Sequence, residues 1–369
     1  MKEFLHRVFS DVKNKKMTKQ DAIGILRDYD MRMGLRQADS LHPLAQQHIS
    51  DETGLGFSAA FSGREFFLAD VSLQRKKLMP GELLLEMARA AAALTVKETE
   101  AVRLTHIVWS KPILTEAEPF HIEIRLIPAE GEAKRFEVYN PFSADLSHYD
   151  VYSQGTIQPV DAAPGMLDIS RLKENSGSLM DQQQIEAITQ NDTVQYSEHM
   201  KGIERIYASA GRMLADISIP LTDQKESARF GFPPCVMQSV TEACALLGGK
   251  EYKTLAPVSL DELLFYEPCP DKVWAEIQEK AGSFYIDLCD EEGKIWASLS
   301  GLKLQPVIKT GAPGKTNAEH RSERLYEQTL LQLKTLFALT TKIAVSNIDT
   351  EEPLETYGID SVTVTKLNH

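Results

Sequence analysis

The sequence predicts an α+β fold in which an antiparallel sheet wraps one long helix, with that unit occurring twice in tandem. Three observations lead there. Two strongly apolar helical runs, one over Leu83–Ala93 and one starting near Pro234, stand well apart in the chain. Each is followed by segments that alternate apolar and polar residues with period two, as half-buried strands do. A polar stretch carrying Pro and Gly, DAAPGMLDISRLKENSGS, separates the two series and reads as a connector.

Residues 1–36 read as a helical linker or docking segment. KQDAIGILRDYDMRM puts Ala22, Ile23, Ile25 and Leu26 on one face, and Thr18 stands where an N-cap would stabilise the start. Over 41–158, FSAAFSG and EFFLADVSL read as strands and PGELLLEMARAAAALTV as a buried helix. LTHIVWSKPIL, FHIEIRLIP, KRFEVYNP and DYDVYSQGTIQ then read as consecutive strands. A helix wrapped by one antiparallel sheet is the hotdog arrangement. Over 172–307 the order recurs: strands around MKGIERIYA and GRMLADISIP, the helix CVMQSVTEACALLGG, then KTLAPVSLDELLFY, KVWAEIQEKA, SFYIDLCD and KIWASLSGLKLQ. Two such units make a double hotdog. Residues 308–320, IKTGAPGKTNAEH, have the composition of a flexible linker. Residues 321–369 open a new helix with Leu325, Leu330, Leu333, Leu336 and Leu339, followed by an acidic loop.

Composition excludes several classes of function. A formal charge of −13 argues against non-specific nucleic-acid binding and against an anionic membrane surface. No apolar run reaches the roughly 18–20 residues needed to span a bilayer. The N-terminus has scattered charges and no small-residue cleavage site, so it does not read as a secretory signal. Cys235, Cys244, Cys269 and Cys289 lack metal-ligand spacing and read as free thiols of a reducing cytoplasm. No nucleotide-binding loop, metal cluster or Ser-His-Asp arrangement is visible.

Gly358-Ile359-Asp360-Ser361 resembles the Gly-x-Asp-Ser signature of acyl carrier proteins. The resemblance implies that Ser361 is the attachment point of 4′-phosphopantetheine in an intact carrier. A phosphodiester at a helix N-terminus is stabilised there by free backbone N–H groups. Two further helices belong to that family, so 321–369 reads as its N-terminal part. The expectation is that 345–369 is poorly ordered and Ser361 unmodified in this chain.

Residues 41–307 resemble polyketide synthase dehydratase domains. His42-Pro43-Leu44 matches the opening His-Pro-Leu, Val108 to Ile113 the Trp-x-x-Pro strand, Tyr152 to Gly155 the end of the first hotdog, and Gly293 to Gly301 the closing strand. The three active-site motifs depart from the family. In His-x-x-x-Gly-x-x-x-x-Pro, Pro80 is present, but Val71 takes the histidine position and Arg75 the glycine position. In His-Pro-x-x-x-Asp-x-x-x-Gln, Gln238 takes the aspartate position and Glu242 that of the glutamine. Tyr-Gly-Pro-x-Phe becomes Tyr196-Ser197-Glu198-His199-Met200.

In that family the histidine removes the α-proton of a 3-hydroxyacyl thioester and the aspartate protonates the departing hydroxyl. A valine and a carboxamide can do neither, and each lost acid–base group is worth about 10²–10⁴-fold. The resemblance therefore implies a non-catalytic or altered dehydratase-like domain in a modular synthase of the trans-acyltransferase type, making an antibiotic-like product. Its partners are carrier-bound acyl thioesters, neighbouring synthase domains and a second copy of itself. Two alternatives stay open. One is an enoyl isomerase that shifts a double bond with a non-standard base, His199 or Glu242, with Tyr196 lining the tunnel. The other is a docking or scaffold module for trans-acting partners. His42 and His106 read as structural.

Overall fold

The computed structural model describes residues 8, 10–14, 16–17, 41–51, 54–71, 76–95, 101–115, 120–141, 150–189, 194–220, 227–248 and 255–306. The first half contains β1 (Gln47–Asp51), β2 (Gly54–Phe61), β3 (Ala69–Val71), β4 (Lys76–Met79), helix α1 (Leu83–Ala93), β5 (Ala101–Trp109), β6 (Ile113–Thr115), β7 (Phe120–Pro128), β8 (Lys134–Asn140) and β9 (Asp150–Val160). The second contains α2 (Ile169–Glu174), β10 (Ser178–Asp181), α3 (Gln182–Thr189), β11 (Val194–Gln195), β12 (Ile203–Ser209), β13 (Arg212–Ser218), α4 (Pro234–Leu247), β14 (Leu255–Phe265), β15 (Lys272–Lys280), β16 (Ser283–Cys289) and β17 (Ile295–Pro306).

Among the described residues, thirteen strands form one antiparallel sheet in the order β1-β2-β7-β8-β9-β5-β14-β17-β16-β15-β13-β12-β10. The halves join where β5, the strand after α1, pairs with β14, the strand after α4 (Leu260 opposite Ile107, Leu263 opposite Leu104). Helix α1 packs on β5, β7, β8 and β9, while α4 packs on β13, β14 and β15. Both helices are apolar almost all round, which is why the sheet can enclose them. Leu83, Met87, Ala88 and Ala91 of α1 and Val236, Ala243 and Cys244 of α4 have no exposed surface. Burying each leucine or methionine contributes about 1.5–3 kcal/mol. This is the double hotdog that the strand and helix pattern anticipates.

One expectation needs correction, and two elements add to the sequence reading. EFFLADVSL does not begin as a strand: Glu65–Leu68 is a turn closed by the Leu68 N–H on the Glu65 carbonyl (3.0 Å), and the pairing described starts at Ala69, over Ala69–Val71. The Glu65 carboxylate accepts the N–H groups of Ser62 (2.6 Å) and Gly63 (3.0 Å), a local alternative to the ladder. The inter-unit connector is pinned by a few apolar side chains. Leu167, Ile169 and Leu172 pack against Leu214, Trp274, Cys289 and Ile295, and the Lys173 ammonium sits 3.8 Å from the Trp274 ring centroid. Strand β10 and helix α3 were not anticipated. Of the helical segment expected over 1–36, the described residues show one turn, with the Asn14 N–H on the Ser10 carbonyl. The linker 308–320 and the carrier-like segment 321–369 with Ser361 lie outside the described residues.

Candidate active site

A second, four-stranded sheet in the order β11-β3-β4-β6 carries Val71 on β3 and leads from β11 into the Tyr196 segment. Val71 stands opposite Val194 and Asp70 opposite Gln195, so β11 of the second half lies directly on the strand carrying Val71. Tyr196 leaves β11 at that point, half-buried against Leu78 and Val194. Ser197 Oγ donates to the Phe66 carbonyl (2.9 Å), and the single 3-10 turn Glu198–Met200 packs against α4. The Gly202 N–H donates to Ser239 Oγ of α4 (3.2 Å). The segment from Tyr196 to Gly202 thus bridges the Val71 strand to the helix carrying Gln238. His199 is half-buried on the 3-10 turn.

Gln238 is buried on α4, and its Oε1 has no hydrogen-bond partner among the described residues. Leaving a buried acceptor unmade costs about 1–3 kcal/mol. Glu242 is partly buried and looks elsewhere. Burial pushes its carboxyl above the ordinary range, opposed by a hydrogen bond with Thr189 and the charge of Lys201.

Two buried carboxyls on α1 were not singled out from the sequence. Glu82 opens the first turn, and its Oε1 accepts from Thr241 Oγ1 of α4 at 2.5 Å. Burial drives its pKa upward against that bond and its own backbone N–H. Its place is fixed by the preceding Gly81: Trp109 Nε1 donates to the Gly81 carbonyl (2.7 Å), and a Cβ on Gly81 would meet the Pro257 ring at 2.9 Å.

Glu86, one turn on, is completely buried. It accepts from Arg89 Nε (2.6 Å) and Nη2 (2.9 Å) and from the N–H groups of Gly231 (2.8 Å) and Phe232 (3.1 Å). His42 Nδ1 accepts the Leu44 N–H (3.1 Å), so its Nε2 carries the proton and donates to Glu86 (3.0 Å). Burial would raise the Glu86 pKa, but Arg89 and His42 outweigh it and hold it below the ordinary value. A Cβ on Gly231 would stand 2.4 Å from Arg89 Cζ, so only glycine lets the guanidinium lie there. The hub ties the start of the first half to the loop that launches α4, the helix carrying Gln238. His42 is thus a structural residue, and His106 stands exposed at a bulge in β5 with φ +53°.

A cavity of about 450 Å³ opens between the halves, walled by Pro43, Phe66, Phe67 and Phe230 with Arg64 and Arg229 among its lining. Among the described residues no group of His, Cys, Asp and Glu could hold a metal ion, and no helix is long and apolar enough to cross a membrane.

Two hotdog units sharing one sheet define a double-hotdog dehydratase-like domain. Family comparison agrees. A polyketide synthase dehydratase domain model matches residues 42–141, and a polyketide synthase dehydratase N-terminal domain model matches 172–313, together more than half of the chain. The chain belongs to the polyketide synthase dehydratase domain family. It is 31% identical over 288 residues to polyketide synthase PksM of Bacillus subtilis (strain 168), covering 72% of this chain and 7% of that protein. It is 30% identical over 283 residues to PksN of the same organism, covering 72% of this chain and 5% of that protein. The chain thus spans only a small part of these relatives. A trans-AT PKS dehydratase domain from Brevibacillus brevis superposes with a TM-score of 0.68 at 27% identity, over 73% of this chain and all of that one. Two crystal structures of CurK dehydratase share the fold: a His-to-Phe inactive mutant (TM-score 0.66, 17% identity, 73% of this chain, 100% of that one) and an Asp-to-Asn inactive mutant (0.66, 18%, 72% and 99%).

Proposed function

We propose that residues 41–307 form a dehydratase-like domain of a trans-acyltransferase polyketide synthase that receives acyl chains as carrier-bound thioesters and does not dehydrate them. The identities of Val71 and Gln238 carry this reading. Elimination needs a base for the α-proton and an acid for the leaving hydroxide, and an isopropyl group and a carboxamide transfer no proton. In the CurK relative, replacing a histidine by phenylalanine or an aspartate by asparagine accompanies inactivity; here both motif positions hold such groups at once. The cavity's phenylalanines and arginines suit a thioester arm with an apolar chain and an anionic phosphate. The test supplies 3-hydroxyacyl pantetheine thioesters and follows binding together with water loss by mass spectrometry. Bound, intact substrate is expected, and elimination at an enzymatic rate overturns the reading.

A second reading, migration of a double bond in an enoyl thioester, is favoured by the buried Glu82 carboxyl that meets Thr241 of α4. It needs one proton-carrying group and no leaving-group acid.

A further inference from the structure

We propose that Glu82 is the proton-carrying group of this site, supplying from α1 an acid that α4 lacks at Gln238 and moving a proton between the γ- and α-carbons of a bound enoyl thioester. This rests on the reading that the site receives an acyl thioester.

Geometry carries the assignment. Glu82 is 8% exposed and Thr241 3% exposed, and their 2.5 Å hydrogen bond crosses the interface between the two central helices. Thr241 follows Gln238 by three positions on α4, and side chains so spaced on a helix lie about 5–6 Å apart. The Glu82 carboxyl therefore sits within one helical turn of the position that holds the aspartate in working relatives. Cys244, three residues further along α4, feels the Glu82 charge, which places the carboxyl along one face of that helix. The unpartnered Oε1 of Gln238 belongs to the same region. Glu242 is turned instead toward Thr189, Lys201 and Glu186.

A helix–helix contact does not call for such a group. An apolar pair would fill the same space without burying a carboxyl, a change often neutral or favourable for stability. The carboxyl is also preorganised. The Trp109–Gly81 hydrogen bond and the Pro257 ring fix the turn before it, and Thr241 fixes its oxygen.

The chemistry balances without any co-reactant. The Glu82 carboxylate removes the γ-proton of a 2-enoyl thioester. The C–H electron pair becomes the C3–C4 double bond while the C2–C3 π pair moves toward the thioester carbonyl, giving a dienolate. The Glu82 O–H then protonates C2, leaving a 3-enoyl thioester and the original carboxylate. The Thr241 hydroxyl donates to the carboxylate and orients it.

The experiment incubates a 2-enoyl pantetheine thioester with the protein in deuterium oxide. It reads binding by calorimetry, deuterium at C2 and C4 by NMR, and folding by thermal melting. The wild type is expected to bind and exchange. Glu82→Gln is expected to fold cooperatively and bind but to lose about 10²–10⁴-fold in exchange rate. Glu82→Asp, which keeps a carboxyl, retains exchange at an intermediate rate and guards against a misfolded glutamine variant. Binding without exchange in the wild type, or unchanged exchange in Glu82→Gln, overturns this inference and leaves the proposed function standing. Failure to bind any thioester overturns both.

Discussion

Replacing Glu86 by glutamine removes a charge that the fold has surrounded with donors. The carboxylate accepts five hydrogen bonds, from His42, twice from Arg89, and from the N–H groups of Gly231 and Phe232. A carboxamide keeps one acceptor oxygen and presents its NH2 to groups that are themselves donors. The Arg89 guanidinium, buried over the Phe265 ring at 4.8 Å, is left without its counter-charge. Breaking a buried pair in this way costs about 3–5 kcal/mol. At about 2–4 °C per kcal/mol for a domain of this size, the melting temperature falls by about 6–20 °C. Calorimetry and urea unfolding at pH 7 measure it, with Glu86→Met/Arg89→Met recovering most of the loss. The sign with pH follows from the depressed carboxyl. Its stabilisation is present above the unfolded-state value, 4.5, and disappears as pH falls through the lower folded-state value. The gap between wild type and Glu86→Gln therefore shrinks in acid. A gap under about 1 kcal/mol at pH 7, or one that widens in acid, refutes the hub.

Trp109→Phe leaves the Gly81 carbonyl without its indole donor and is expected to destabilise by about 1–3 kcal/mol in urea unfolding. The Glu82 carboxyl, raised by burial, contributes stability in full below 4.5 that declines as pH rises through its folded-state value; Glu82→Gln should abolish that decline. The connector, held by Leu167, Ile169 and Leu172, should resist native-state trypsin cleavage at Arg171 and Lys173, and Leu172→Ala should speed cleavage several-fold.

The fold was legible because each half concentrates its apolar residues in one helix and alternates them along the strands. Phe136, Val138, Ile122 and Ile124 of β7 and β8 face the helix just as period two requires. The Glu65–Leu68 turn misled because Phe66 and Phe67 look like strand residues, whereas they pack edge-on against Phe230. The anchoring of the connector was not legible from its polar composition, since three apolar side chains suffice to pin it. At the site, motif spacing singled out Val71, Gln238 and Tyr196 as candidates, and the structure places Val71 on β3, Tyr196 just after β11 and Gln238 on α4. Glu82 and Glu86 could not, because their partners Thr241 and Gly231 lie 159 and 145 residues away. The available signal was two carboxylates and one arginine in a helix whose other residues are apolar, since buried charges need partners.

The central claim is that elimination fails here for want of two proton-transferring side chains. The most direct measurement compares wild type with Val71→His/Gln238→Asp on the same 3-hydroxyacyl pantetheine thioester, following enoyl product over time. Product at the buffer rate from the wild type and a measurable gain from the folded double variant are predicted. Brisk enoyl formation by the wild type contradicts the account.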